Sequence, residues 1–286
     1  MNIRQARKKI KSVGNVRKIT KAMQLVSAIK MKKAQMMAIE GRPYKEYLEE
    51  IIRKVIVKID VNLSELLQPK LDSNKKKDCV IVIASNKGLC GGFNMDLFRF
   101  IVKNVDFNKT EFVIMGKKAG LLSRLGAKII SDYSSNVLLN NVSALFNFSL
   151  KNFINGTYGS IFLYYNKFIS TLRIEPTKSI LLPLILDLPK EQEMIKKDAS
   201  EYLIEPNPME IINPLLYSFI EGKIQNAIIQ SEAGEHSSRM IAMKNATDNA
   251  NDVIYSLTMM QNKLRQEKIT NELLDMVTAK ESVENN

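Results

Sequence analysis

The sequence predicts an α/β domain looped out between two long terminal helices, which meet as one rod, a coiled coil or a shaft. Three observations predict this. Residues 235–286 hold no glycine or proline, and the first 40 residues hold only Gly14. Such runs exceed the ~8–20 residues of an ordinary globular helix. Short apolar runs alternate with helical stretches in the middle of the chain, the texture of a mostly parallel sheet. With 45% hydrophobic and 25% charged residues in 286, the composition is that of a folded globular protein.

The first element is an N-terminal helix over residues 1–58. Ile3, Ala6, Ile10 and Val13 alternate at three- and four-residue spacings, and Val16, Ile19, Met23 and Val26 continue in a shifted register. A shift of three residues reads as a stammer. Gly41-Arg42-Pro43 interrupts the pattern, and the helix resumes from Tyr44. Residues 59–78 read as a linker that ends in a polar, lysine-rich run.

The globular domain spans 79–185. Buried strands are expected at 79–85 (CVIVIAS), 111–116 (EFVIMG), 160–165 (SIFLYY) and 179–184 (SILLPL). Helices are expected at 95–105, 117–126 and 142–153. Pro176 and Pro183 place the last strand at an edge. A second linker, acidic and proline-bearing, covers 186–208.

The C-terminal helix, residues 209–286, begins near Met209 or after Asn213-Pro214, where Asn caps and Pro occupies the first turn. Its clearest heptads are Ala250, Val253, Leu257, Met260 and Leu264. Between 231 and 251 the seam is weak, so this stretch is expected to face something other than the partner helix, a surface for moving neighbours.

Charge is unevenly placed. Residues 1–58 carry 16 Lys and Arg against four Glu, and the remaining 228 residues carry 26 of each sign. So uncompensated a helix seeks an anionic partner, whether nucleic acid, anionic lipid or an acidic protein face. A basic coiled coil that binds nucleic acid is therefore a competing reading. Against it, the basic helix holds no aromatic residue before Tyr44 on which bases would stack.

No catalytic constellation emerges. Asn86-Lys87-Gly88-Leu89-Cys90-Gly91-Gly92 follows a strand and precedes a helix, where a phosphate loop would sit. It lacks the Gly-Lys-Ser/Thr of a P-loop and the GxGxxG of a dinucleotide fingerprint, and reads as a tight turn. His236 is the one histidine, with no second ligand of its kind for a metal. Cys79 reads as a core hydrophobe, and Cys90 shows no sign of activation. Glu46, Glu49 and Glu50 read as a solvated helix face. No run reaches the ~18 apolar residues of a membrane span, so the chain is expected on the cytoplasmic side of any membrane it meets. No cofactor or metal is expected.

The segments IKSVGNVRKITKAMQLVSAIKMKKAQ (10–35), NKGLCGGFN (86–94), SRMIAMKNATDNANDVI (238–254) and NKLRQEKITNELLDMV (262–277) identify a family. Together with YNKFIS (165–170), PTKSILLPL (176–184) and EYLIEP (201–206), they resemble the gamma subunit of F-type ATP synthases, in family order over nearly the whole chain. The resemblance implies a non-catalytic central rotor stalk whose terminal helices wind into an antiparallel coiled coil and enter the ring of alpha and beta subunits. The α/β domain would then meet the epsilon subunit and the ring of c subunits. It also implies a peripheral place on the cytoplasmic face of a bacterial inner membrane, or on the matrix side of the mitochondrial one, and no nucleic-acid partner. Lys21 and Met23 in ITKAM match the family's upper contact, and Arg239 and Lys244 its basic residues on the facing helix. Arg265, Gln266 and Thr270 match the group that catches the beta-subunit loops, and Tyr202 and Glu205 the foot that meets the c ring. Residues 131–153 depart from the family pattern, and Gly234–Ser238 replaces a more alanine-rich stretch.

Overall fold

The computed structural model describes residues 1–56, 65–67, 77–185, 204–205 and 207–284. The elements run α1 (Ile3–Ile56), β1 (Lys77–Ile83), α2 (Phe93–Asn104), β2 (Thr110–Met115), β3 (Lys128–Asp132), α3 (Val142–Ile154), β4 (Tyr158–Phe168), β5 (Ile174–Leu182) and α4 (Pro208–Glu284). Two 3-10 turns intervene, Lys117–Leu125 and Leu138–Asn141. The chain divides into two compact units. One comprises Met1–Ser27 and Arg239–Asn286, and the other Ala28–Ser238. Both long helices contribute to both units.

In the larger unit the sheet order is β3-β2-β1-β4-β5. Strands β1 to β4 are parallel, and β5 returns antiparallel to β4 as an edge strand, where its prolines placed it. Alternate residues along each strand face opposite sides, which sorts the core into two layers. Cys79, Ile81, Ile83, Val113, Met115, Ile161 and Leu163 face one side. There they meet Leu48, Ile52, Val55 and Ile56 of α1, Leu145 and Phe153 of α3, and Ile212, Leu216, Ile220, Ile224 and Ile228 of α4. Val80, Val82, Phe112, Ile114 and Tyr164 face the other, against Leu97, Phe98 and Ile101 of α2 and Leu122 of the first 3-10 turn. Cys79 is a core residue as read, its thiol pushed up to about 12 by burial and by the nearby Glu111 and Asp78 carboxylates.

Local chemistry explains the helix ends. Asn2 Oδ1 accepts the Gln5 amide at 2.8 Å, and Gln5 Oε1 accepts the Asn2 amide at 3.1 Å. This is a reciprocal cap spelled Asn-x-x-Gln. At the start of α4, Asn207 Oδ1 accepts the Met209 amide at 3.1 Å, with Pro208 in the first turn. The cap is thus Asn207, and Pro214 lies inside the helix. Pro43 likewise lies inside α1, so the helix is not interrupted there. Each proline removes an amide and orphans the carbonyl four residues earlier, at Ile39 and Glu210. Both of those residues are exposed, so water satisfies what the proline leaves.

Two expectations on the domain are corrected. The stretch 117–126 is a 3-10 turn rather than an α-helix, closed by Gly126 in a left-handed conformation. The strand β3 was not anticipated, because its Ile129-Ile130 is too short an apolar run to register and it sits half-buried at the sheet edge. Gly116 separates β2 from the 3-10 turn with φ of 96°, and a Cβ there would lie 2.0 Å from the Ala84 carbonyl oxygen. Only glycine fits.

Glu111 of β2 has an ion cluster at the N-terminal edge of the parallel strands. Lys77 and Lys128 both donate to its Oε1, at 2.9 and 2.7 Å, and the Tyr158 hydroxyl donates to Oε2 at 2.9 Å. Hydrogen bonds from Lys128 and then Lys77 hold the carboxyl down at about 2. A depressed carboxylate contributes stability above its unfolded value, and that contribution is lost as pH falls through the folded one. Both lysines are more than half exposed, so the contribution is about 1 kcal/mol rather than the full shift. Glu111→Gln is expected to lower the unfolding free energy from urea denaturation at pH 7 by that amount. The gap from wild type should close between pH 4 and pH 2 in acid titrations, while a gap independent of pH would refute the assignment.

Candidate functional site

Two regions qualify as sites: the loops at the C-terminal edge of the sheet, and the paired ends of α1 and α4. In open parallel sheets ligands bind at the C-terminal edge, where neighbouring connections diverge. Here that point lies at β1, whose two neighbours are β2 and β4. The loop after β1 is tightly made. Ser85 and Asn94 exchange hydrogen bonds, Asn94 reaches Cys90 Sγ at 3.4 Å, and Leu89 and Gly91 both have positive φ.

Helix α4 fills this edge. Ser231 Oγ donates to the Ile83 carbonyl at 3.4 Å, Ser237 Oγ to Thr171 at 2.7 Å and Ser238 Oγ to Cys90 at 2.7 Å. Gly234 passes so close that an added Cβ would lie 3.2 Å from Ile174 and from Phe93. The turn reading of residues 86–92 fits this geometry, because the crevice a nucleotide would use is occupied by the chain itself. It also corrects one expectation. The weak seam over 231–238 contacts the protein's own sheet edge rather than moving neighbours. Its small polar residues permit close approach, and the helix continues unbroken through them. His236 sits half-buried in the same stretch.

In the smaller unit α1 and α4 pair antiparallel. Thr20 and Thr247 share a hydrogen bond at 2.8 Å, Arg17 donates to Asn251 at 3.2 Å, and residues 2–7 lie against 264–275. Partner numbers fall on α4 as they rise on α1. Along α1 the buried and half-buried positions in this unit are Ile3, Ala6, Ile10, Val13, Gly14, Thr20, Met23, Gln24 and Ser27, and all but Gly14 and Met23 share one phase. With Arg17, which reaches across to Asn251, the residues in phase make an unbroken three-four heptad. The expected stammer is therefore absent, because the seam keeps phase by admitting polar residues. On α4 the inward set is Ala250, Ile254, Leu257, Gln261 and Leu264. Ile254 and Gln261 replace the expected Val253 and Met260, which are 45% and 49% exposed.

What the apolar pattern marked instead is an outward stripe. Val16, Ile19 and Val26 are 51%, 60% and 53% exposed, and they follow one another at the spacing of a single helix face, with half-buried Met23 between. Arg4, Arg7, Lys8, Lys9, Lys11, Lys18 and Lys21 are all exposed on the same helix. Tyr255, Met259, Ile269, Leu273 and Met276 are exposed on α4.

The residues singled out by the resemblance fall into separate groups. Lys21, Met23 and Lys244 lie within a turn of the Thr20–Thr247 bond, with Lys21 donating to Gln24 at 3.2 Å. Arg239 is buried, unlike exposed Lys244. Arg265, Gln266 and Thr270 are exposed, ~27 Å farther along α4. They lie beside an open groove of about 670 Å³ lined by Asn2, Arg4, Arg7, Glu267, Lys268 and Asn271, among others. Glu205 is exposed, and Tyr202 lies outside the described residues. The polar seam and the Asn2 cap escaped sequence reasoning. Only the heptad phase set by Ile3, Ala6, Ile10 and Val13, carried forward regardless of polarity, would have found the seam.

Two tests follow from this packing. Gly234→Val should destabilise the protein by about 1–3 kcal/mol, since Ile174 and Phe93 must yield. Gly14→Ala meets nothing within 4 Å and should stabilise by up to about 1 kcal/mol. Chemical denaturation midpoints measure both, and equal effects of the two would contradict the packing described. Replacing Thr20 and Thr247 together by Val should be neutral or stabilising by about 1 kcal/mol, because the bonded hydroxyls leave as a pair. A loss above ~1 kcal/mol in the same assay would show that their bond holds the seam.

Comparison with known proteins places this geometry. The family model described as ATP synthase matches residues 2–283. The ATP synthase gamma chain of Clostridium perfringens (strain SM101 / Type A) is 38% identical, over 97% of each chain. That of Akkermansia muciniphila is 32% identical, over 99% of each. Among solved structures, a chain of the Euglena gracilis mitochondrial ATP synthase (OSCP/F1/c-ring, rotational state 3) shares the fold, with a TM-score of 0.67 at 17% identity. That match covers 98% of this chain and 94% of the other. Nothing in these relatives favours the nucleic-acid reading. With the match running nearly end to end, the chain belongs to the ATP synthase gamma-chain family.

Proposed function

We propose that the chain is the central rotor subunit of a proton-translocating F-type ATP synthase, without a catalytic site of its own. It would couple rotation of a c ring to conformational change in a hexamer of alpha and beta subunits, with an epsilon subunit beside its α/β domain. Its place would be the cytoplasmic face of a bacterial membrane, reached through the complex. Among the described residues no helix is long and apolar enough to cross a membrane. Lys21, Met23, Lys244, Arg265, Gln266 and Thr270 would meet alpha and beta, Arg239 would brace that surface from inside, and Tyr202 and Glu205 would meet the c ring.

The observation that carries this reading is the outward stripe of Val16, Ile19 and Val26 beside exposed lysines on a helix whose seam is already filled. A rotor acts only through unequal interaction with the states of its neighbours. Driving a site from 1:99 to 99:1 takes about 5.5 kcal/mol of difference. Each half-exposed apolar side chain offers about 1 kcal/mol on burial. Val16, Ile19, Leu25, Val26, Tyr255 and Met259 together supply that scale, provided one neighbour state covers them and another does not.

The purified chain should turn over no ATP, yet assemble with alpha and beta subunits into a complex whose hydrolysis drives proton uptake into vesicles carrying the membrane sector. Failure to join the hexamer would refute the reading. Replacing Lys8, Lys9, Lys11, Lys18 and Lys21 by Gln should reduce proton uptake per ATP several-fold and leave the melting temperature nearly unchanged, since exposed like charges add little stability. A collapsed melting temperature with intact coupling would contradict the role given to this charge.

A further inference from the structure

One carboxylate touches all four parallel strands. Glu111 belongs to β2, Lys77 is the first residue of β1, Lys128 the first of β3 and Tyr158 the first of β4. Their polar atoms meet within 2.7–2.9 Å at the N-terminal edge of the sheet. Two of the three parallel pairings carry a register shift. The β1–β4 register shifts between Lys77 and Cys79, and the β2–β3 register shifts between Phe112 and Val113. Glu111 and Lys128 are also register partners in the ladder, so the side-chain cluster adds to backbone pairing there.

The same edge receives the rest of the chain. Strand β1 starts there at Lys77. Strand β5, antiparallel to the others, ends there at Leu182. Just beyond, the Leu184 amide donates to the Leu66 carbonyl at 2.8 Å, so Leu66, which precedes β1, and Leu184, which follows β5, are pinned to each other. Leu66 and Leu184 are both buried in the layer that holds α1 and α4. Any force that reaches the sheet through these residues arrives at the N-terminal ends of the strands. Parallel strands resist it only by hydrogen bonds that run across them, and those are the bonds the register shifts weaken.

We propose that Glu111 is a positioning residue, a tie that makes the N-terminal ends of β1, β2, β3 and β4 open and close as one body, so that load entering at this edge is shared across the sheet. The load in question rests on the rotor reading, but the tie itself does not. Geometry supports the assignment. Both lysines converge on one oxygen and the tyrosine on the other, so the carboxylate is the only group common to all the contacts, and removing its charge releases three strands at once. Tyr158 contributes only the tether to β4, and Lys128 only that to β3.

Hydrogen exchange of the full-length isolated chain, read by mass spectrometry, tests this independently of any partner. In Glu111→Gln, amides at 77–80, 128–131 and 158–161 are expected to exchange at least ~10-fold faster together, equivalent to about 1.4 kcal/mol less protection. Amides at 81–84 and 163–166 should speed by no more than the roughly 5-fold that a global loss of about 1 kcal/mol produces. Faster exchange confined to 110–113, or none, would overturn the tie. Tyr158→Phe and Lys128→Met provide a second reading should Glu111→Gln fail to fold. Each is expected to speed exchange at the start of its own strand alone, and the absence of either effect would also overturn it. Failure of the chain to join alpha and beta subunits would refute the rotor reading and leave this result untouched.

Discussion

The apolar layer in which Ile52 of α1 and Ile220 and Ile224 of α4 meet Ile81 and Ile83 of β1 is the contact on which everything else depends. Neither long helix would be stable by propensity alone, because most helical stability in proteins comes from burying a face. The stretch Leu48–Ile56 and the stretch Ile212–Ile228 bury theirs against the sheet. The parts beyond are then relieved of that duty. This is why α1 tolerates Pro43, and why the pairing in the smaller unit works with a seam that includes Thr20, Gln24, Ser27 and Gln261.

A polar seam has a second consequence. Because the inward positions beyond Val13 use small or polar residues, the larger apolar side chains of that stretch, Val16, Ile19 and Val26, are left to point outward. In a freestanding coiled coil the arrangement would be reversed. Exposed valine and isoleucine beside a run of cations mark a surface meant to be covered by something apolar with acidic groups around it. The filled crevice at the C-terminal edge makes the complementary point. The fold places a ligand site there in many proteins, and this chain closes it with Ser231, Gly234, Ser237 and Ser238. The α/β domain has become a mount for a helix.

The sequence showed most of this architecture where its period was clean. The glycine-free termini announced the long helices. The β-branched runs at 79–85 and 111–116 announced central strands, because strands buried on both faces need no alternation. It failed where two signals shared one helix. On α1 the outward stripe is more apolar than the seam beyond Val13, so reading hydrophobicity as burial shifted the register onto the wrong face. On α4 the same error chose Val253 and Met260 over Ile254 and Gln261. The serine-rich stretch at 231–238 could not reveal its partner, since its hydroxyls bond carbonyls from β1, from the loop after it and from the β4–β5 hairpin. Those come together only once the sheet has formed. Strand β3 was too short to see. The resemblance named Arg265, Gln266, Thr270 and Arg239 alike, and only the fold separates the three exposed residues from the buried one.

The central claim is that this chain turns inside a ring of partners. Both native thiols are buried, so a cysteine placed at exposed Lys109 offers a selective attachment point for a bead on the α/β domain. With the alpha–beta hexamer fixed to glass and this chain assembled within it, ATP should drive the bead in continuous rotation of one direction, which stops when ATP is withdrawn. A complex that hydrolyses ATP while the bead stays fixed, or wanders without direction, would contradict the account.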